Sequence, residues 1–279
     1  MPSVPTVVVG DLGFGGAGKT AVVAHLAQRL VERGRVAIVG HGYRGRVRRP
    51  TRLTHPDADA FGDEAAALYR ALGTLCEVWV GDDRVRTCAA AQADADVIVV
   101  DRGLGDTRLE RTVDVVVVDV SSSTAVFPAG PLKAPLSSVS PDVCLWAHHQ
   151  SKASDAQVGS IGSLYIPRCV RRAGWDDVSP QWLAGRPVVT LCGLANPRSF
   201  YQCILDAGAS IVGGLEVGDH RPFPARHLAR LPRDVVWLTT AKDRERLPPS
   251  LEIAVLDVDL EIVRGQSALD ALCTQLLPV

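Results

Sequence analysis

The sequence has little of several features that would point to particular classes of protein. Among its 279 residues there are 7 cysteines, an odd number without a C-x-x-C pair, which favours reduced buried thiols over disulfides or a metal site. Aromatic residues make up 5 % of the chain and the formal net charge is −1, so nucleic acid is not an expected partner. The longest apolar run, 113–120, is interrupted by two aspartates. No transmembrane helix is therefore predicted.

The N-terminal residues also lack a charged-then-apolar leader, because the first predicted strand begins by Thr6. Together with the reduced thiols, this predicts a cytoplasmic protein. Strand and helix patterns alternate from there on, and runs such as 97–101 and 113–118 are rich in valine instead of alternating with polar residues. Such runs are typical of strands covered on both faces. We therefore predict an α/β fold with a mostly parallel sheet flanked by helices.

A change of composition suggests two domains. From 148 to 163 the sequence turns polar and small, and a second strand-helix series starts at 187. We predict a core domain over 1–165, a linker near 150–185 and a smaller α/β domain over 166–279, whose last helix is free to pack back on the core. A cleft between the two domains would suit a second substrate.

A glycine-rich motif follows the first predicted strand and precedes a predicted helix. It reads Gly13-Phe14-Gly15-Gly16-Ala17-Gly18-Lys19-Thr20 and matches G-x-x-x-x-G-K-[ST] at every fixed position. In such a phosphate loop, backbone N–H groups and the helix N-terminus bind phosphate oxygens. Lys19 is then expected to reach the β/γ-phosphates and Thr20 to hold Mg²⁺. The predicted fold is thus of the P-loop NTPase type, and the predicted nucleotide-binding residues are Gly13, Gly15, Gly16, Ala17, Gly18, Lys19 and Thr20.

The same glycines allow a second interpretation. Gly13-x-Gly15-x-x-Gly18 also satisfies the dinucleotide fingerprint, which requires an acid at the end of the following strand. That strand, 35–40, runs into His41 and Arg44 instead, and a basic residue there suits the 2′-phosphate of NADP. Lys19 and Thr20, which a dinucleotide site does not require, favour the phosphate loop.

Three acids and one histidine are candidates for metal binding or for acid/base catalysis. Asp101 ends the apolar run 97–100, the usual position of the acid that holds Mg²⁺, although an aspartate there can simply cap a turn. Asp63 and Glu64 begin a helix, where acids complement the helix dipole; Asp63 could equally accept the proton of an attacking hydroxyl. His220, beside Asp219 on a loop, is either an acid/base or a hydrogen-bonded surface residue.

A basic run follows the second strand, with arginines at 44, 46, 48, 49 and 52. Most charge runs are solvated, but this one follows a strand that should end at the nucleotide edge of the sheet. It could therefore meet a phosphorylated or anionic substrate. Tyr43 is the sole aromatic beside it, which disfavours nucleic acid.

With these motifs in order, the chain resembles the tetraacyldisaccharide 4′-kinases over nearly its whole length. The resemblance is carried by short motifs in the family's order. They are Gly42-Tyr43-Arg44-Gly45 (R-G-Y-G-G in the family), Gly62-Asp63-Glu64 (G-D-E-P), Arg84, Asp101-Arg102-Gly103-Leu104 (D-D-G-L-Q), Pro128 to Leu132 (L-P-A-G-P-L), Gly193 with Asn196 and Phe200 (G-I-G-N-P-x-x-F), Asp219-His220 (D-H-H) and Thr239 to Asp243 (T-T-E-K-D).

The resemblance implies an ATP- and Mg²⁺-dependent kinase. It would phosphorylate the 4′-hydroxyl of an acylated glucosamine disaccharide 1-phosphate, the lipid A precursor, as a peripheral protein at the cytoplasmic face of the inner membrane. Asp63 would accept the proton with help from His220, alongside Lys19. Thr20, Asp101 and Glu64 would hold the metal. The implied substrate-binding residues are Tyr43, Arg44, Arg84, Asn196 and Asp219.

The sequence also departs from the family. Arg102 replaces the second acid of D-D-G, which removes a candidate metal oxygen and adds a cation beside Mg²⁺. The glutamine of that motif is replaced by Gly105 or is lost, and Ala241 and Arg221 replace a glutamate and a histidine. The family's N-terminal membrane helix is not expected here. A catalytically weak nucleotide-binding relative is therefore the alternative hypothesis.

Overall fold

The computed structural model describes residues 4–13, 16–120, 125–130, 132–140, 144–148, 160–172, 176–194, 196–218, 221–232 and 234–278. The chain divides into two compact units. The first unit comprises Met1–Leu164 and Leu260–Val279, and the second comprises Tyr165–Asp259. The closing residues, grouped by sequence with the smaller domain, thus belong to the first unit.

Strands and helices alternate through most of the described chain. The strands are β1 (Thr6–Asp11), β2 (Val36–Gly40), β3 (Thr51–Arg52), β4 (Glu77–Val80), β5 (Val97–Asp101), β6 (Val113–Asp119), β7 (Cys144–His148), β8 (Ile161–Arg171), β9 (Pro187–Cys192), β10 (Ser210–Glu216), β11 (Val236–Thr239) and β12 (Ala254–Arg264). The α-helices are α1 (Lys19–Leu30), α2 (Ala58–Phe61), α3 (Asp63–Leu72), α4 (Arg84–Ala91), α5 (Arg198–Asp206), α6 (Ala225–Leu228), α7 (Ala241–Arg244) and α8 (Gln266–Leu276).

In the first unit the strand order is β7-β6-β1-β5-β2-β4-β3, and these strands pair in parallel except β3, which is antiparallel to β4. Val8 of β1 lies opposite Val100 of β5. Val7, Val8 and Val9 are all fully buried, although successive side chains of a strand point to opposite faces of the sheet. This burial agrees with the prediction from the valine-rich runs that both faces of the sheet are covered.

Two helices of this unit are held together by their side chains. One side of α1 buries Val22, Val23, Leu26 and Leu30. On its polar side, Arg29 Nη2 donates to Asp270 Oδ1 of α8 across 3.0 Å. The C-terminal helix is therefore packed on the nucleotide-binding core predicted from the sequence.

The order of the central strands positions the candidate site. β1, β5 and β2 are neighbours and run in the same direction, so their carboxyl ends, Asp11, Asp101 and Gly40, share one edge of the sheet. Open parallel sheets bind ligands at this edge.

The second unit is a smaller α/β arrangement. β10, β9, β11 and β12 pair in parallel in that order. Its buried cluster includes Leu183, Val188, Phe200, Ile204, Leu238 and Leu256. Phe200 and Ile204 come from α5, which has a strongly apolar face and covers the sheet of this unit.

The prediction of a linker near 150–185 is wrong for much of the segment that the structure describes. Residues 161–171 form β8, in which Ile161 pairs with Trp146 of β7 and is fully buried. Pro167 and several arginines interrupt the apolar pattern there, because only the ends of the strand lie in a core. β3, α2 and α7 were also missed, since elements of two to four residues show no periodicity.

Candidate active site

The phosphate loop is shaped by two glycines in a left-handed conformation. Gly16 and Gly18 have φ of 80° and 83°, values that residues with a Cβ rarely adopt. The carbonyl of Gly18 accepts the N–H groups of Ala21 and Val22, so α1 starts directly at Lys19. The N–H groups of a first helical turn have no partner within the helix, so those at the start of α1 are suited to binding an anion. The predicted site residue Gly15 and its neighbour Phe14 lie outside the described residues.

Lys19 is buried and forms an ion pair with Asp11 at the end of β1. Sequence reasoning missed Asp11, because an acid two residues before the glycine-rich motif is not part of the fingerprint. The carboxylate neutralises an ammonium group that water cannot reach well. A phosphate arriving in the loop would compete with Asp11 for the same cation.

Behind the loop, the side chain of Thr20 contacts that of Asp101, and both are predicted metal ligands. Thr20 Oγ1 donates to Asp101 Oδ2 across 3.1 Å, and Asp101 is almost fully buried. Its other oxygen, Oδ1, has no hydrogen-bond partner in the described part of the chain. Burial, assisted by the nearby charge of Glu64, raises the pKa of Asp101 to about 6, while Arg102 and Lys19 act in the opposite direction.

These oxygens fit a magnesium ion. Mg²⁺ prefers hard oxygen ligands and commonly takes one or two carboxylates, with phosphates and water completing its shell. The unpartnered Asp101 Oδ1 and the Thr20 hydroxyl are such ligands. No group of three or more His, Cys, Asp or Glu residues suited to a metal occurs among the described residues, so phosphates would have to supply the remaining ligands.

Asp63 is held at the first position of α3 by an unusual backbone turn. Gly62, just before it, has φ of 89°, and a Cβ there would lie 2.7 Å from the carbonyl oxygen of Tyr43. Asp63 is buried, and its Oδ1 accepts the backbone N–H of Glu64 across 2.9 Å. The turn thus fixes a carboxylate next to the phosphate-binding edge.

Arg102 is turned towards an acid of this site. Its φ of 64° is left-handed, and its Nη2 donates to Glu64 Oε1 across 2.6 Å. The sequence predicted a cation beside the metal acid, and the structure shows that this cation engages Glu64, itself a predicted metal ligand. One carboxylate oxygen of Glu64 therefore already accepts a hydrogen bond from a guanidinium group.

A cavity of about 140 Å³ lies at this edge of the sheet. The residues that line it include Tyr43, Asp63, Glu64, Arg84, Asp101 and Arg102. Arg84 extends into it from the start of α4 with a buried Nε that has no partner among the described residues. Burial lowers the pKa of Arg84, and the charges of Asp101 and Asp106 oppose that shift. The cavity can thus receive an anionic group beside a buried carboxylate.

Arg44 and Tyr43 are at the rim. Tyr43 is half exposed, and the guanidinium carbon of Arg44 lies 5.6 Å from the centre of its ring. Arg44 is exposed, with a left-handed φ of 64°.

The remaining predicted residues belong to the second unit. Asn196 precedes α5, and its Oδ1 accepts the N–H of Arg198 across 3.3 Å. Asp219 and His220 lie outside the described residues, so the predicted partnership of His220 with Asp63 stays a prediction.

The Thr239 to Asp243 motif has a structural role in the second unit. Asp243 is fully buried, accepts the N–H of Gly193 across 2.8 Å and forms an ion pair with Arg246. Arg246 also donates to the carbonyl oxygen of Arg221 across 2.7 Å. Sequence reasoning missed Arg246, which fixes the residue immediately after the Asp219-His220 pair.

Comparisons with known proteins agree with this geometry. The sequence profile of the tetraacyldisaccharide-1-P 4′-kinase family matches residues 1–277. A tetraacyldisaccharide 4′-kinase of Methylobacterium sp. (strain 4-46) is 34 % identical over 282 residues, which cover 95 % of this chain and 82 % of the relative. One of Gluconacetobacter diazotrophicus is 34 % identical over 274 residues, 93 % of this chain and 81 % of the relative.

A solved structure shares the fold. The crystal structure of "apo" form LpxK from Aquifex aeolicus in complex with ATP superposes with a TM-score of 0.76 at 21 % identity, covering 99 % of this chain and 89 % of that one. By profile, sequence identity and site geometry together, the chain belongs to the tetraacyldisaccharide-1-P 4′-kinase family.

Proposed function

We propose that this protein transfers the γ-phosphoryl group of ATP to the 4′-hydroxyl of a tetraacyldisaccharide 1-phosphate, a step of lipid A biosynthesis. The observation that carries the proposal is that Thr20, next to Lys19 in the phosphate loop, donates a hydrogen bond to Asp101, and that Asp101 lines a cavity together with Asp63. The printed names of the relatives at 34 % identity support the acceptor.

ATP binding follows from the phosphate loop. The N–H groups around Gly16 and Gly18 would bind phosphate oxygens, and Lys19 would exchange Asp11 for the β/γ-phosphates. The ATP complex of the Aquifex aeolicus protein, which has the same fold, supports this assignment.

Mg²⁺ is the implied metal, and Thr20 and Asp101 would hold it, with Glu64 as a further candidate. When bound, the ion neutralises charge that develops on the transferred phosphoryl group. Asp101 Oδ1, buried and unpartnered among the described residues, is the oxygen best suited to it.

Asp63 is proposed as the proton acceptor for the attacking hydroxyl. Phosphoryl transfer to an alcohol needs a carboxylate within hydrogen-bond reach of that hydroxyl. The Gly62 turn orients Asp63 before any substrate arrives. His220 is proposed as its helper on the family resemblance alone.

Tyr43, Arg44 and Arg84 are proposed to bind the acceptor, because they line or border the cavity and two of them are cationic. Asn196 and Asp219 are retained as substrate-binding candidates. A tetraacylated acceptor resides in a membrane, so we place the protein at a membrane surface, on its cytoplasmic face. No helix in the described ranges is long and apolar enough to cross a bilayer.

The experiment is direct phosphoryl transfer. Purified protein is incubated with γ-labelled ATP, Mg²⁺ and the tetraacyldisaccharide 1-phosphate in neutral detergent, and label in the lipid is measured. Wild type is expected to label the lipid, and Lys19→Ala, with its folding checked by circular dichroism, is expected not to. Folded wild-type protein that binds ATP without labelling the lipid would exclude this function.

One observation favours a second candidate, a nucleotide-binding relative with little turnover. Arg102 occupies the position of an acid and engages Glu64, so the metal has fewer carboxylates available. Tight ATP binding with negligible transfer, unimproved by Arg102→Asp, would favour it. The family assignment leaves the NADP-dependent oxidoreductase without support.

A further inference from the structure

We propose that the arginine loop, defined as residues 44–52, is a docking surface for an anionic lipid bilayer. The proposal rests on the proposed function, because a tetraacylated disaccharide has to be taken from a membrane. It goes further by naming the surface of this chain that meets the membrane and the lipid charge that it recognises.

The arginine loop carries a concentrated positive charge. The arginine loop contains five arginines in nine residues and no acid, whereas the whole chain has a net charge of −1. All five arginines are exposed. Arg52 pairs with Glu77, but the side chains of Arg46, Arg48 and Arg49 form no ion pair with any residue of the described chain. Their charge is therefore available to a partner.

Hydrogen bonds to the neighbouring backbone hold the arginine loop in place. Arg46 N–H donates to the carbonyl of Asp59 across 3.1 Å, and Val47 N–H donates to that of Ala60 across 3.0 Å. On the other side, the carbonyl of Arg48 accepts the N–H of Asp82 across 3.0 Å. Gly45 packs so closely on α2 that a Cβ would lie 2.6 Å from the Ala60 carbonyl oxygen. The loop thus presents its arginines from a fixed backbone, which lowers the entropic cost of binding.

The arginine loop begins at the rim of the cavity. Tyr43, directly before the arginine loop, lines the catalytic cavity and is half exposed. Tyrosine is enriched where proteins meet the headgroup region of a bilayer. A membrane bound by the loop would therefore lie beside the rim through which the lipid acceptor enters.

A bilayer is a better partner than nucleic acid. Single-stranded nucleic acids need a series of aromatic stacking platforms, and Tyr43 is the one aromatic residue next to this loop in sequence. Trp79, which lies opposite Arg52 in β4, packs against a buried cluster instead. Asp59 and Asp82 are exposed at its edges, so the positive surface is short and would not follow an extended polyanion. Near an anionic membrane, each arginine raises the partition coefficient about fivefold.

The test is sedimentation with vesicles of phosphatidylcholine, with and without phosphatidylglycerol. Wild type is expected to bind the anionic vesicles and to lose binding as salt is added. Arg48→Gln with Arg49→Gln is expected to weaken that binding about 30-fold. The matched control, Arg226→Gln with Arg230→Gln, removes two exposed arginines from the second unit and is expected to bind as wild type does.

Four results would overturn the proposal. The first is equal binding of wild type to both kinds of vesicle, and the second is an equal loss in the control variant. The third is a rise in KM of the Arg48/Arg49 variant for the lipid in neutral detergent micelles, which would assign these arginines to the phosphate of the substrate. The fourth is tighter binding of a single-stranded RNA oligonucleotide than of the vesicles. Vesicle binding needs no turnover, so failure of the kinase assay would be recognised separately.

Discussion

Arg102 and Glu64 form a hydrogen-bonded ion pair, Nη2 to Oε1 at 2.6 Å, inside the cavity that contains Asp63 and Asp101. At the position of the second acid of the D-D-G motif, this chain therefore has a cation. That cation forms an ion pair with a neighbouring acid. The pair leaves Asp101 as the carboxylate with an oxygen free of hydrogen bonds among the described residues.

Arg102→Asp is expected to tighten Mg²⁺-dependent ATP binding about tenfold. It removes a cation beside the proposed metal oxygens, supplies a further carboxylate and releases Glu64. Calorimetric titration with ATP at several Mg²⁺ concentrations measures this without turnover. Arg108→Asp, which changes an exposed arginine paired with Asp106, is the control, and an equal effect of both variants would contradict the account.

The buried carboxyl of Asp101 predicts a pH dependence of stability. Its pKa is about 6 in the fold and 3.8 in the unfolded chain, so the folded state binds the proton more tightly. Burying the ionised carboxylate therefore lowers the free energy of unfolding. This loss of stability is complete above pH 6 and disappears as the pH falls from 6 towards 4. Asp101→Asn should therefore stabilise the metal-free protein at pH 7 by at most about 3 kcal/mol, with a smaller gain at pH 4. Denaturant unfolding at both pH values measures the difference, and a larger gain at pH 4 would contradict it.

Gly62→Ala is expected to destabilise the protein by roughly 1 to 3 kcal/mol, because φ is 89° and the new methyl group would meet the Tyr43 carbonyl. Transfer activity should fall as well, since the turn positions Asp63. Gly105→Ala is the matched control, because a Cβ there has nothing within 4 Å. Urea unfolding of the two variants tests the prediction, which fails if they are equally stable.

Asp11→Asn is expected to cost about 3 kcal/mol in the absence of nucleotide, because Lys19 would remain buried without its counter-ion. ATP should restore more stability to this variant than to wild type, since phosphate replaces the lost charge. Thermal unfolding with and without ATP measures this effect. Asp94→Asn alters an exposed acid and should respond to ATP as wild type does; an Asp11 variant with that same response would refute the competition between Asp11 and phosphate.

The parts of the fold predicted correctly are those with strong local signals. The valine-rich strands and the glycine-rich loop are determined by neighbours in sequence, and the structure confirms the strands and the predicted helix that follows the loop. β8 was missed because Pro167, Arg168 and Arg171 interrupt its apolar pattern, so that it becomes a strand only through pairing with its neighbours β7 and β12.

The site was predicted less completely, for a similar reason. Asp11 and the Arg102–Glu64 pair are contacts between separate elements, and neither follows from a motif. Arg246 donates hydrogen bonds to the carbonyl oxygens of Gly193 and Arg221. Its role could not be predicted, because the sequence contains many arginines and no motif distinguishes this one.

The most direct test of the central claim compares wild type with Asp63→Asn for ATP binding and for phosphoryl transfer to the tetraacyldisaccharide 1-phosphate. The account predicts that both proteins bind Mg²⁺-ATP alike and that the variant transfers about 10² to 10⁴ times more slowly. Transfer at the wild-type rate by Asp63→Asn would contradict it.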